Sequence, residues 1–288
     1  MHVNYPTALA MNIDSHAGTM AAMKHFLEEY ASAPDHILAA GLVRHAGKMA
    51  HRMRAEGLTT DYKTSITDVV TEADRAAEQF ISTALQELRP DDGLLGEEGA
   101  TADSTTGRTW VIDPVDGTYN FTTGSDYWCS ALALASGPLE APTAVHLGAV
   151  YRPVTETLWL GGADFRTVRN EVPVPELIDV AADKANCATY LNPNRFHDAE
   201  IATPWFSAIS QFATVRMLGS ASVDLAGVAD GRINCWFQHS VASWDWLPGR
   251  ALVEGAGGSC AQVDAGGVTW SIAGGPQAVA AAVDGLTA

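Results

Sequence analysis

Two carboxylates, Asp113 and Asp116, flank Pro114 and Val115 in the stretch from Trp110 to Phe121, and Gly117 and Thr118 follow directly. The apolar run Trp110, Val111 and Ile112 reads as a buried strand. Two acids with a rigid proline between them cannot both continue that strand into a core. They converge at its end instead, where an oxygen-loving divalent cation relieves their repulsion. Gly117 and Thr118 then bend the backbone into the start of a helix, whose free N–H groups favour an anion such as phosphate. A metal and a phosphate at one strand end point to phosphoryl chemistry.

Other acids stand where elements begin or end. Leu94 and Leu95 form a short buried strand that stops at Gly96, with Glu97 and Glu98 after it; adjacent glutamates are ordinarily solvated, but at a strand end they are also placed for a metal. Thr71 followed by Asp74 has the form of a capping box, launching a helix with Ala77, Phe80, Ile81, Ala84 and Leu88 inward. Asp245 reads as the N-cap of a helix carrying Leu252 and Val253, which leaves Pro248 in the first turn where its missing N–H is tolerated. Taken alone, Asp74 and Asp245 are caps and Lys63 is a solvated lysine. His36, His45 and His51 ride on or near a helix starting at Pro34 and Asp35, with no second ligand beside them, and read as structural.

The remaining elements must position these groups. Met20, Met23, Leu27 and Tyr30 fall at helical spacing in an N-terminal extension, 1–34. A first α+β half, 35–168, holds most of the acids, with a strand at 127–136 and a hairpin pairing 145–151 with 155–160. A second half, 169–288, holds Asp245, strands near 188–191 and 233–237, and a short helix after Leu218 and Gly219 that Gly231 closes.

Composition narrows the classes. A net charge of −17 excludes the basic footprint of a nucleic-acid binder, and it would repel a phosphorylated substrate unless bound cations invert the local field. No apolar run reaches the ~20 residues of a membrane span, and no basic-then-apolar leader opens the chain, so the expected location is cytoplasmic. Cys129, Cys187, Cys235 and Cys260 are dispersed and read as core residues. The sequon at Asn120 is read as chance. Walker, Gly-x-Gly-x-x-Gly and Gly-x-Ser-x-Gly signatures are all missing.

Together these blocks resemble the inositol monophosphatase family of metal-dependent sugar and polyol phosphatases. The resemblance rests on Lys63 to Asp74, Gly96 to Glu98, Asp113 to Phe121, and Trp244-Asp245 with Leu252 to Gly258, and extends over about residues 35–285. It implies a layered αβαβα sandwich of the inositol monophosphatase and fructose bisphosphatase type, in the α+β class. It also implies two or three Mg2+ ions per site, lithium sensitivity and a homodimer. Carried over residue by residue, Glu97, Asp113, Asp116 and Asp245 match metal-binding carboxylates, and Val115 a carbonyl ligand. Thr118 matches a hydroxyl that contacts metal and water in partnership with Asp74, and Lys63 a lysine close to the metal. Asp116, Gly117, Thr118, Gly219, Ser220, Ala221, Gln238 and Asp245 are assigned to the substrate. Two cations can activate water on one side of a phosphate ester and stabilise the leaving oxygen on the other. Glu97 and Thr118 are expected to orient that water, with Asp113 bridging the ions.

Some residues depart from the family pattern. Gln238 stands where inositol-specific members carry a glutamate that contacts substrate hydroxyls, and Pro248 replaces a small helical residue. The C-terminus looks short for the family's last helix. The expected activity is therefore a phosphomonoesterase acting on a small polyol phosphate, myo-inositol 1-phosphate first. Histidinol phosphate is the alternative, and bisphosphates of fructose or nucleotides come third. A regulatory or binding protein with incidental phosphatase activity is the competing class.

Overall fold

Residues 129–136 show how the chain sorts its side chains into layers. Cys129, Ala131, Ala133 and Ala135 share one core with Val111, Leu225, Val228, Trp246 and Leu252. Leu132 and Leu134 point the other way, into a second core with Trp110, Ile112, Leu38, Leu42, Ile81 and Leu85. That is the period-two alternation of a strand buried on both faces.

The protein is described by a computed structural model covering residues 16–57, 60–62 and 69–288. Helices α1 (His16–Tyr30) and α2 (Asp35–Glu56) come first, then a small antiparallel pair, β1 (Thr60–Tyr62) and β2 (Val69–Thr71). Next are α3 (Glu72–Leu88), β3 (Gly93–Gly96), β4 (Thr101–Ala102), β5 (Arg108–Asp116) and the short α4 (Thr118–Thr122). A meander follows: β6 (Cys129–Ser136), β7 (Ala144–Arg152), β8 (Thr157–Gly162), β9 (Phe165–Arg169) and β10 (Val172–Pro173). The remainder is β11 (Asn186–Thr189), α5 (Ala199–Ile209), β12 (Thr214–Arg216), α6 (Ala221–Ala229), β13 (Cys235–His239), α7 (Ser243–Gly255), β14 (Ser259–Ala265), β15 (Val268–Gly274) and α8 (Pro276–Thr287).

Strands β3 to β10 form one sheet in the order β10-β9-β8-β7-β6-β5-β3-β4, and β11 to β15 a second in the order β12-β11-β13-β15-β14. Helices α1, α2 and α3 cover the outer face of the larger sheet. Helices α6 and α7 lie between the sheets, and α5 and α8 close the far face of the smaller one. The layering is the expected αβαβα sandwich. All nine residues of α6 are buried, as a helix enclosed by two sheets requires. Among the described residues no helix is long and apolar enough to cross a membrane.

Four local expectations need correction. Strand β5 does not stop at Ile112 but runs through Asp113 to Asp116, because a bulge absorbs the conflict. Helix α7 begins after Ala242, whose carbonyl accepts from Asp245 N and Trp246 N. Asp245 therefore lies in the first turn rather than at the cap, and Pro248 is inside the helix. In α1, Met23, Leu27 and Tyr30 dock as expected together with Phe26, while Met20 is exposed. The last helix, α8, is present with 12 residues.

Phe26 is 1% exposed, stacks on Tyr30 at 4.3 Å and meets Phe80 and His45 edge-on. Emptying such a site costs about 3–5 kcal/mol. Phe26→Ala is expected to lower unfolding stability by that amount in a urea titration; an unchanged midpoint would show that α1 contributes nothing to the fold.

Candidate active site

The bulge in β5 governs the site. Asp113 pairs with Ala131 and Asp116 with Cys129, so three steps along β5 oppose two along β6. In a regular strand, residues three apart face opposite sides; one extra residue returns both carboxylates to the same side. The Ser130 hydroxyl donates to the Pro114 carbonyl at 2.6 Å, and Val115 N to Asp113 Oδ1 at 3.1 Å, which satisfies polar groups the bulge displaces.

Helix α7 brings Asp245 to the same point. Asp113, Asp116 and Asp245 each offer an oxygen, all within 4.8 Å of one another. Asp113 and Asp116 are buried and Asp245 partly so. Burial, followed by repulsion from Glu97, Asp116, Asp245 and Asp74, pushes the Asp113 carboxyl well above the usual range. Asp245 is raised by burial and then by Asp116 and Glu97. Asp116 is raised by burial, partly offset by the Ser222 N–H that donates to it at 2.5 Å. None of the ion pairs among the described residues involves these three acids. Crowded, buried, oxygen-only donors fit a hard divalent cation and little else.

Beside this cluster the chain turns at Gly117, with φ 93° and ψ 42°. A side chain there would be strained and would also crowd the Gly219 and Tyr127 carbonyls. The Thr118 hydroxyl lies 3.2 Å from Asp74 Oδ1 and 2.9 Å from the Val115 carbonyl, either of which can accept its hydrogen bond. Asp74 is fully buried at the start of α3 in the expected capping box with Thr71, and burial raises its carboxyl to about 6. Glu97 follows β3, and its N–H donates to the Ile112 carbonyl at 3.2 Å, next to Asp113. A cavity of about 480 Å³ opens onto the cluster, lined by Asp116, Gly117, Gly219, Ser220, Ala221, Gln238 and Asp245 among others. Every assigned residue is thus found at or beside one place, except Lys63, which lies outside the described residues.

Several contributors were not anticipated. Asn120, dismissed as a chance sequon, donates to the carbonyls of Tyr127 at 2.9 Å and Leu218 at 2.8 Å, tying the glycine turn to the loop before α6. Asp224 lines the cavity, accepts from the Tyr127 hydroxyl at 2.6 Å, and is raised to about 7 by burial. Arg54 reaches from α2 to the Ser125 carbonyl at 2.7 Å and sits over the Phe121 and Trp128 rings. Their partners lie 7 to 98 positions away in the chain, so no local pattern signals these contacts.

With the geometry in hand, comparison with known proteins decides the family. The family description "Inositol monophosphatase family" matches residues 33–285. The chain belongs to the inositol monophosphatase family. Family members are phosphoric monoester hydrolases, and this chain is one. It is 30% identical over 227 residues to an inositol-1-monophosphatase of Bacillus subtilis, covering 77% of this chain and 83% of that one. It is 34% identical over 196 residues to the Nus factor SuhB of Xylella fastidiosa, covering 66% and 68%. A crystal structure of the extragenic suppressor protein suhB from Bartonella henselae superimposes with a TM-score of 0.75 at 24% identity, over 85% of this chain and 95% of that one, which shows the shared fold. Helix α1 lies before the matched segment.

The raised carboxyls carry a pH signature. Asp113, Asp116, Asp245 and Asp74 hold protons more tightly folded than unfolded. In metal-free protein their contribution to stability falls as pH rises from the ordinary 3.8 through the folded values. His45 and His239, lowered by burial, act in the opposite sense up to 6.5 and cancel when a variant is compared with wild type. In EDTA, Asp113→Asn is expected to melt above wild type by at least about 2 °C near pH ~7.5, with the gap closing near pH ~5. Equal melting at both pH values would contradict the repulsion.

Proposed function

We propose that the chain is a magnesium-dependent phosphomonoesterase that hydrolyses a small polyol phosphate, with myo-inositol 1-phosphate as the first candidate. The observation that carries this reading is the convergence of Asp113, Asp116 and Asp245 within 4.8 Å, beside the Gly117 turn, with Asp116 and Asp245 lining a cavity. Glu97, Asp113, Asp116 and Asp245, with the Val115 carbonyl, would hold two or three Mg2+ ions, and Lys63 is assigned beside them by the family resemblance. Bound divalent cations supply charge neutralisation at the phosphate and make water a stronger nucleophile near neutral pH.

The protein groups do the positioning. With the Thr118 hydroxyl donating its hydrogen bond to Asp74, its lone pairs would face outward to accept a hydrogen bond from the attacking water, leaving a water lone pair for phosphorus. Asp74 holds Thr118 in that orientation and does not touch substrate. Glu97 would take the water's other proton as the new P–O bond forms, and the alkoxide released when the ester P–O bond breaks would regain a proton from solvent. Backbone N–H groups at Gly117 and Thr118 meet the phosphate oxygens. Gly219, Ser220, Ala221 and Gln238 face the alcohol, where the Gln238 amide keeps hydrogen bonding without charge. The protein would act as a cytoplasmic homodimer, without nucleic acid or membrane.

A second substrate reading, histidinol phosphate, draws on Tyr119 and Tyr190, aromatic residues that line the cavity, Tyr119 being 50% exposed. The name of the Xylella relative keeps a regulatory role open alongside catalysis.

Phosphate release from a panel of inositol, histidinol, fructose and nucleotide phosphates, with and without Mg2+ and Li+, tests the reading. Turnover should require Mg2+, and Asp113→Asn should lower kcat by roughly 10²-fold or more, corresponding to several kcal/mol of lost charge stabilisation. Undiminished turnover in EDTA would sink the mechanism, whereas a preference for histidinol phosphate would change only the substrate. Gln238→Glu should shift kcat/KM between polyol esters while leaving Mg2+ affinity unchanged; a large loss of Mg2+ binding would show that Gln238 is misplaced.

A further inference from the structure

Glu97 is the one assigned carboxylate carried on a turn rather than on a long strand or helix. The turn joins β3 to β4 and is closed by Gly96 N donating to the Ala100 carbonyl at 2.7 Å. Beside it lies a cavity of about 460 Å³, lined by Arg75, Glu78, Gln79, Glu98 and Thr101 among others. Glu78, one helical turn after Asp74 on α3, is 4% exposed. Its Oε2 accepts from Glu98 N at 2.8 Å and its Oε1 from Ala100 N at 2.8 Å. Gly96 has no Cβ, and the space a Cβ would fill is taken by the Glu78 carboxylate. A carboxylate is the only side chain of this length that accepts on both prongs at once.

We propose that Glu78 is the positioning residue that fixes the turn carrying Glu97 beside Asp113, and so sets the affinity of the site for a divalent cation. The inference rests on the proposed metal site. The same helix then serves that site twice: Asp74 orients Thr118 and Glu78 clamps the Glu97 turn. A Gln at 78 keeps the volume but sets an N–H2 against one of the two backbone donors, freeing that side of the turn.

Isothermal titration of Mg2+ into the full chain at neutral pH, with hydrogen exchange of the 96–100 amides, tests this. Glu78→Gln and Gly96→Ala are each expected to weaken Mg2+ binding by about tenfold or more, the range typical of groups that hold metal ligands in place, and to speed exchange at 98 and 100. Leu286→Ala, a buried substitution in the α5–α8 layer, serves as the stability control and should lower Tm without changing Mg2+ affinity. If Glu78→Gln fails to fold, Gly96→Ala carries the test, since it displaces the carboxylate while leaving Glu78 in place. Wild-type affinity, within about twofold, in the folded variants would overturn the proposal while leaving the metal site intact. No Mg2+ binding by wild type would overturn both.

Discussion

Buried like charge is the constraint on which this structure turns. Oxygens of Asp113, Asp116 and Asp245 lie within 4.8 Å of one another, two of the residues buried and the third partly so, and burial drives all three carboxyls upward. A folded chain carries such an arrangement only if rigid surroundings impose it, because each group alone would move toward solvent or take up a proton. The bulge in β5 imposes the first two, and the first turn of α7 the third.

The layers make that rigidity possible. Strand β5 is central in its sheet, flanked by β3 and β6, with an apolar core on each face. Helix α7 packs with α6 between two sheets, where Gly249 lets it approach Leu225 too closely for any side chain. Close backbone approaches at Gly148 against the Pro248 carbonyl, and at Gly117 against the Gly219 carbonyl, lock α7 and the glycine turn into one body. Pro248 inside α7 is tolerated in this setting because packing, more than helix propensity, holds the helix.

Much of this was legible in the chain. Asp113, Asp116, Gly117 and Thr118 announce a strand end and a turn because their types are wrong for a core strand. Thr71 and Asp74 announce a capping box because its spacing is local, and the structure forms it with both bonds present. The layered fold followed from the family resemblance. What stayed hidden depends on groups distant in sequence. Asn120 gains its role only when Leu218 arrives beside it, and Glu78 only when the 96–100 turn folds over it. Even the bulge eluded local reading: the residues forbade a regular strand, but the register with Ala131 and Cys129 decides how the strand bends. Asp245 was misplaced by one turn because a cap and a first-turn acid have the same sequence appearance before a helix.

The central claim is that these crowded carboxylates exist to be neutralised by divalent cation. The most direct measurement is a crystal structure grown with Mn2+ as the substitute ion near neutral pH, with anomalous differences recorded at an energy where manganese scatters. The account predicts a strong peak bounded by Asp113, Asp116 and Asp245. No peak among these three side chains in Mn2+-saturated crystals would contradict it.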